Sequence, residues 1–208
     1  MKKSRLFLIT ICILLAMFEY LGCSHLKGKV YINPNVNFRF IKKVAVLPFE
    51  NLSQDRFAGK KMRDIFVTTL LASEVVDVVE LGDVLQVMNT FGIVTDQEQP
   101  MLVVQEQKPT DTITKDNARA LGQALGVQGI IMGSVEEYGI VRSTSGPYPE
   151  VSLTLRMMDP KTGSIIWAVS HTEKGSRILS SILGVGEETV TETAFKASKE
   201  ITNTLVYK

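Results

Sequence analysis

The fold is decided by three successive segments, Val127-Gln-Gly-Ile-Ile-Met-Gly-Ser-Val135, Val151-Ser-Leu-Thr-Leu-Arg-Met157 and Ile165-Ile-Trp-Ala-Val-Ser170, each of which predicts a β-strand. The first is apolar and contains glycines, a composition typical of a strand buried on both faces. The second alternates strictly between apolar and polar residues. The third combines β-branched residues with Trp167, the only tryptophan of the chain, and such residues favour strands.

The last two segments are joined by Asp159-Pro-Lys-Thr-Gly163, which predicts a hairpin turn. Pro160 presets φ for a type I turn, and Asp159 can accept hydrogen bonds from the backbone of the turn. Gly163 can adopt the left-handed conformation that closes a hairpin. Because an apolar hairpin is nearly always part of a core, we expect Trp167 to be buried there.

The rest of the chain alternates between strand and helix patterns. The first half predicts a strand at 43–49, a helix capped by Asp55, a strand at 74–80 and a helix from Gly82 or Asp83. A polar connection at 92–113 follows, and then a helix capped by Thr114 and ended by Gly126. The three strands above come next, and the chain closes with a helix at 187–206. The order is therefore β-α-β-α-loop-α-β-β-β-α. We expect an α/β (α+β) protein with a mixed β-sheet of about five strands and covering helices.

Helical periodicity predicts which side chains of each helix face the core. The core-facing residues are Ala58, Met62, Ile65, Phe66 and Thr69 in the first helix, Leu85, Met88 and Phe91 in the second, Ala118, Leu121 and Leu125 in the third, and Val190, Ala194, Ala197, Ile201 and Leu205 in the last. Residues 139–150 and 175–186 are expected to be connections between elements. Residues 25–40 are polar and predict either a tether or an edge segment.

The N-terminus has the pattern of an export signal. Residues 1–5 are basic, and residues 6–18 form an apolar run that is too short to cross a bilayer but suits a signal peptide. Removing residues 1–22 takes away three basic residues and one acidic residue, so the mature chain is nearly neutral. We therefore expect no nucleic-acid partner. Cys23 would be the only cysteine left, which excludes an intramolecular disulfide.

The segment Leu21-Gly22-Cys23 resembles the lipobox of bacterial lipoproteins. It departs from that pattern at Tyr20, where leucine is usual, and at Leu21, where a small residue is usual. The resemblance implies cleavage before Cys23 and lipid attachment to it. Ser24 stands where the family's inner-membrane retention signal would place Asp, which implies anchoring to outer-membrane lipid, facing the periplasm. The alternative is an ordinary secreted protein with an unpaired Cys23.

Three motifs in one order carry a second resemblance: Val44-Ala-Val-Leu-Pro-Phe-Glu-Asn-Leu-Ser53, Leu121-Gly-Gln-Ala-Leu-Gly-Val-Gln-Gly-Ile-Ile-Met-Gly133 and Asp159-Pro-Lys-Thr-Gly-Ser-Ile-Ile-Trp167. Together they resemble the CsgG/LpoB/PelC-like superfamily of periplasmic bacterial lipoproteins. That superfamily includes a curli secretion channel subunit, activators of penicillin-binding proteins and an exopolysaccharide export lipoprotein. The resemblance implies three parts: a signal peptide (1–22), a lipidated tether (23–42) and one periplasmic domain (43–208).

The sequence offers little material for catalysis. It lacks HExxH, CxxC, GxxxxGK[ST] and GxSxG motifs, so we expect no catalytic, cofactor-binding or metal-binding residues. His171 is interpreted as a surface histidine at a strand end. Glu136 and Glu137 are interpreted as a solvated strand end, because adjacent strand residues point to opposite faces and make a poor acid–base pair. Met157 and Met158 are assigned to the core and its rim.

Three functions stay open at this point. The first is a non-catalytic accessory in envelope secretion, export or assembly, which could form a homo-oligomeric ring. The second is a lipoprotein activator that docks on a peptidoglycan synthase. The third is an envelope hydrolase that uses carboxylates alone. The first two follow from the resemblance, and each requires a protein partner in the envelope or a second copy of the chain.

Overall fold

The computed structural model describes residues 28–93, 113–144, 146–175 and 188–206. Its strands are β1 (Lys29–Ile32), β2 (Lys43–Val46), β3 (Glu50–Asn51), β4 (Asp77–Val78), β5 (Gly129–Ser143), β6 (Gly146–Met158) and β7 (Ile165–Lys174). Its α-helices are α1 (Ala58–Ala72), α2 (Leu81–Thr90), α3 (Lys115–Leu125) and α4 (Val190–Val206). A short 3₁₀ turn, Phe38–Phe40, precedes β2.

All the described strands belong to one mixed sheet with the order β1-β7-β6-β5-β2-β4, and β3 pairs with β5 beside β2. β2 is parallel to both β4 and β5, and β3 is also parallel to β5. The pairs β5–β6, β6–β7 and β7–β1 are antiparallel. The predicted element order and the α+β class are therefore confirmed.

β1 and β3 were not predicted as strands of the sheet. β1 pairs with β7 at the sheet edge, so of the two predictions for residues 25–40, the edge segment is correct for Lys29–Ile32. This part of the predicted tether therefore belongs to the folded sheet. In contrast, the strand predicted at 74–80 is shorter than expected and is reduced to Asp77–Val78.

Helices pack on both faces of the sheet and enclose a hydrophobic core on each. The larger core lies under α1 and α4 and includes Phe49, Phe66 and Trp167. The smaller core lies under α2 and α3 and includes Val84, Leu121 and Ile130. None of the helices in the described ranges combines the length and the apolar character that crossing a membrane requires.

Local sequence signals set several element ends as predicted. The Thr114 side chain accepts a hydrogen bond from Asn117 N (3.2 Å) at the start of α3, and Gly126 ends that helix with a φ of 64°. In the β6–β7 turn, Asp159 Oδ1 accepts from Lys161 N (2.8 Å), and Gly163 has a φ of 71°. These contacts confirm the predicted cap and end of α3 and the predicted hairpin turn. The cap predicted at Asp55 is wrong: the N-cap of α1 is Phe57, which has no side-chain cap hydrogen bond, and Asp55 Oδ1 accepts from Phe57 N instead.

The second helix differs from the expectation. It begins at Leu81, and its buried residues are Val84 and Met88. Leu85 is only half-buried, and Phe91 lies just after the helix and is exposed. The apolar stripe is therefore centred on Val84 and Met88 rather than on Leu85 and Phe91.

The largest difference concerns residues 139–150, which were expected to form a connection. Residues 139–143 and 146–150 are strand residues: β5 runs on to Ser143, β6 begins at Gly146, and the ladder continues from Glu137–Ser152 to Ser143–Gly146. Pro147 and Pro149 gave the segment the character of a loop in the sequence. Both lie in β6 at positions where the proline nitrogen faces a free edge, and a strand tolerates proline there.

Trp167 offers a test of the larger core. Its side chain is fully buried, and Nε1 donates to Thr204 Oγ1 of α4 at 2.9 Å. We expect Trp167→Ala to lower the free energy of unfolding by about 3–5 kcal/mol, because it leaves a cavity in a packed core. Trp167→Phe keeps most of the apolar surface and should cost clearly less. Urea denaturation of both variants checks this, and near-wild-type stability of Trp167→Ala would contradict the packing described.

Candidate interaction surface

The described residues provide no metal-binding cluster. No group of three or more His, Cys, Asp or Glu side chains within them could hold a metal ion. Cys23 and His25 lie outside the described residues, so the predicted lipid-attachment site stays a prediction.

His171 is not a surface residue, and that interpretation was wrong. It lies within β7 rather than at its end, and its side chain is only 2% exposed. Its Nε2 lies 3.2 Å from Glu173 Oε2, and its Nδ1 has no hydrogen-bond partner among the described residues. The ring is thus enclosed on the side of the sheet that carries the larger core.

Glu136 and Glu137 do not form a solvated strand end either. They lie within β5 at a bulge, where the pairing with β6 shifts between Val135 and Glu137. Glu136 Oε1 accepts from Ser134 Oγ (2.8 Å), whereas Glu137 Oε1 accepts from Tyr138 N (3.2 Å). Each carboxylate is engaged by a different group of its own strand, and this division does not suit a shared acid–base reaction.

The feature that stands out is a two-stranded extension of the sheet, formed by residues 139–143 and 146–149, which we call the hairpin arm. On the β5 side, the last strand pair with β3 is Asn51–Val135. On the β6 side, the last pair with β7 is Glu150–Lys174. Beyond these pairs, the two strands of the arm pair only with each other in the described structure. Since an isolated two-stranded hairpin is only marginally stable in water, the arm is the part of the sheet with the least support.

The base of the arm is held on its β6 side. Gly175 N donates to Pro149 O at 2.8 Å. Lys174 Nζ lies 3.1 Å from Glu150 Oε2 and 5.3 Å from the centroid of the Tyr148 ring. These contacts fix the start of the arm against the end of β7 and leave its tip to project.

Two prolines close the β6 edge of the arm to further strand pairing. Pro149 lies opposite Ile140, and Pro147 lies opposite Arg142. A proline has no N–H to exchange with its partner, so each pair is of the non-hydrogen-bonded kind, in which backbone groups point away from the partner strand. The backbone nitrogens of the two prolines, which carry no hydrogen, therefore face the outer edge. Another strand could not form a full set of hydrogen bonds with this edge.

The same pairing leaves the β5 edge of the arm open. Because Ile140 and Arg142 face prolines in non-hydrogen-bonded pairs, their own N–H and C=O groups point to the opposite edge. No hydrogen bond to these outward groups occurs within the described residues. Tyr138 N, which also points outward, is satisfied by Glu137. The open edge thus begins at Ile140, whose side chain is 52% exposed.

A groove of about 590 Å³ runs beside the base of the arm. Its floor is Tyr138, Gly139 and Ile140, and its walls come from the start of α1 and the start of α4. Lys61 spans the α1 side: Nζ lies 2.7 Å from Asp55 Oδ2 and 5.3 Å from the centroid of the Tyr138 ring. The groove is therefore apolar at its floor and charged along one wall.

The ion pair sets the protonation behaviour of this wall. The hydrogen bond from Lys61, together with one from Phe57 N (2.8 Å), holds the pKa of Asp55 below its usual 3.8, and the same pair raises the pKa of Lys61. Because the carboxyl pKa is lowered on folding, its stabilising effect is present above pH 3.8 and is lost as the pH falls through the folded-state pKa. The lowered pKa of Asp55 and the raised pKa of Lys61 keep both members of this ion pair charged at neutral pH.

Removing the lysine tests this cause directly. We expect Lys61→Met to raise the pKa of Asp55 towards 3.8 without reaching it, because the Phe57 N–H remains. NMR titration of the carboxyl group measures the change. Lys60→Met, which alters the adjacent exposed lysine, is the matched control and should leave the Asp55 pKa unchanged. An unchanged pKa in Lys61→Met would show that the ion pair does not form.

This protein is similar to known proteins in its structure, whereas its sequence matches no known family. No protein-family model matches the chain, and no curated protein sequence matches it either. Among solved structures, a PelC dodecamer from Paraburkholderia phytofirmans has a TM-score of 0.57 at 17% identity, covering 88% of this chain and 99% of PelC.

Two further structures are similar over a smaller part of the chain. The lipoprotein GNA1162 from Neisseria meningitidis has a TM-score of 0.46 at 19% identity, covering 69% of this chain and 96% of that protein. The C-terminal domain of LpoB from Salmonella enterica has a TM-score of 0.45 at 14% identity, covering 70% and 88%. Of the three, PelC alone is similar enough to show a shared fold. It confirms, at the level of the fold, the resemblance predicted from the sequence.

Proposed function

We propose that this protein is a non-catalytic accessory of bacterial envelope export or secretion, anchored to the outer membrane through Cys23 and working in the periplasm as a homo-oligomer. The observation that carries the proposal is the fold shared with PelC, which covers nearly all of that protein and was solved as a dodecamer. The resemblance of the sequence motifs to export lipoproteins points in the same direction.

The chemistry of the described residues supports an accessory role. They hold no metal-binding cluster, and the buried His171 and the engaged Glu136 and Glu137 offer no reacting pair. What the chain does display is a projecting arm with one open strand edge and a groove at its base. Open edges and apolar grooves are features by which proteins bind extended segments of other proteins.

The proposed anchor follows from Cys23. A single acyl chain binds membranes only marginally, with a constant of about 10⁴ M⁻¹, so stable anchoring takes two or more chains or signals. Bacterial lipoproteins, which the lipobox-like segment resembles, typically carry three chains. Lasting attachment is therefore the expected consequence of modification at Cys23, and it would concentrate the folded domain at the membrane surface.

The anchor is tested by two cysteine variants. We expect Cys23→Ser to move the protein from the membrane fraction to the soluble fraction, and Cys12→Ser, which alters the cysteine inside the predicted signal, to leave it in the membrane. Mass spectrometry of the mature N-terminus should find a cleaved and acylated Cys23. Cleavage at another site, or an unmodified Cys23, would overturn the proposed anchoring.

The accessory role is tested by its partners. Chemical crosslinking in native membranes, followed by affinity capture and mass spectrometry, should recover crosslinks between copies of this chain together with components of an export system. Complexes dominated by a penicillin-binding protein would instead support the activator function and contradict the proposed one. Capture of Cys23→Ser under the same conditions is the control, because it removes the predicted anchor while leaving the described domain unaltered.

A further inference from the structure

Two free edges of the sheet are protected against pairing with another strand. β4, at one end of the sheet, contains only Asp77 and Val78. The β6 edge of the hairpin arm carries Pro147 and Pro149. Short edge strands and edge prolines are the means by which natural sheets avoid unwanted association. The edges that lack such protection are therefore informative, and the described structure has two of them.

The first unprotected edge is the β5 side of the hairpin arm, where Ile140 and Arg142 point their backbone groups outward. The second is the outer side of β1. Asn33 N donates to Ile166 O at 2.9 Å, so the backbone N–H and C=O groups of Asn33 point towards β7. Because these directions alternate along a strand, the backbone groups of Tyr31 and Lys29 point towards β7 as well. Val30 and Ile32 then point their N–H and C=O groups away from β7, and no hydrogen bond to these groups occurs within the described residues.

The two edges match each other in length and in orientation. Each presents two outward residues separated by one inward residue, enough for about four backbone hydrogen bonds between them. Ile32 packs against the larger core, and Val30 points to the same face of the sheet. Ile140 and Arg142 lie on the face of the buried Tyr138, which belongs to that same core. Joining the edges would therefore keep the α1–α4 side of both molecules on one side of a continuous sheet.

The side chains at the two edges are also suited to contact. Val30 in β1 is 37% exposed and Ile140 in the arm is 52% exposed, and both lie on the face of the larger core. Cross-strand pairs of aromatic, β-branched and apolar residues stabilise a sheet, so burying these side chains against one another would add to the backbone hydrogen bonds.

We propose that β1 of one copy of this protein pairs with the β5 edge of the hairpin arm of a second copy, so that the sheet runs from subunit to subunit. This inference rests on the proposed function, because it names the contact by which the homo-oligomer forms. The contact uses two different surfaces of the chain. Each subunit therefore has one edge of each kind to offer, and such head-to-tail contacts close into rings when the rotation permits.

Proline substitution tests the contact without removing the strands. In Val30→Pro and Ile140→Pro the missing N–H is one that points outward, so the pairing of β1 with β7 and of β5 with β6 should survive. We expect each variant, purified as full-length protein from membranes in mild detergent, to lose the oligomer of the wild type in native mass spectrometry. Val30→Thr and Ile140→Thr keep the donors and are the matched controls, which should still assemble.

Mixing the two proline variants distinguishes a head-to-tail contact from a symmetric one. The intact β1 of Ile140→Pro can still pair with the intact arm of Val30→Pro, so the mixture should form heterodimers that neither variant forms alone. Loss of assembly in one variant only would overturn the proposal in favour of a symmetric contact. Wild-type assembly in both proline variants would also overturn it, while leaving the proposed function standing. A wild type that is monomeric in the membrane would overturn both.

Hydrogen exchange provides the measurement if a proline variant fails to fold, which thermal unfolding would reveal. In the wild type, the amides of Val30, Ile32, Ile140 and Arg142 should exchange slowly in the oligomer and rapidly after its dissociation by dilution. Unchanged exchange at both edges, with new protection elsewhere, would show that the subunits meet through another surface.

Discussion

The structure depends on β5, because this strand extends beyond the residues that pair with β2 and β3. Its first part has β2 and β3 on one side and β6 on the other, so its backbone groups are satisfied on both sides. At the end of β2, the buried Arg63 satisfies the last carbonyl of that strand: its Nε and Nη2 donate to Val46 O at 3.1 and 2.8 Å. Beyond Val135, no further strand among the described residues pairs with β5 on the β2–β3 side, and β5 continues as one half of the hairpin arm. Core and projecting arm are thus two consequences of one strand.

Local chemistry explains why much of the fold could be predicted from the sequence. Thr114, Gly126 and the Asp159–Gly163 turn act through hydrogen bonds and φ values within a few residues, and all three have the predicted geometry. The buried position of Trp167 follows from the apolar strand around it. Signals of this kind depend on neighbouring residues, which a single sequence displays directly.

The features that could not be predicted depend on partners distant in sequence. β1 is a strand because β7 lies beside it, and the residues next to Lys29–Ile32 in the sequence do not indicate that β7 is the pairing partner. His171 was placed at a strand end, but β7 continues to Lys174 because β6 extends far enough to pair with it. Pro147 and Pro149 indicate a loop until the register shows that their missing donors point outward. The candidate surface was missed for this last reason, although alternating prolines between two strand patterns were a signal that could have revealed it.

The central claim is that the open edge of the hairpin arm is completed by another copy of the same chain. Cryo-electron microscopy of the full-length protein, extracted from membranes in mild detergent, tests it most directly. The account predicts a closed assembly of identical subunits, in which Val30 and Ile32 of one subunit are hydrogen-bonded to Ile140 and Arg142 of the next. Monomeric particles, or an assembly in which the arm edge faces solvent while subunits meet elsewhere, would contradict it.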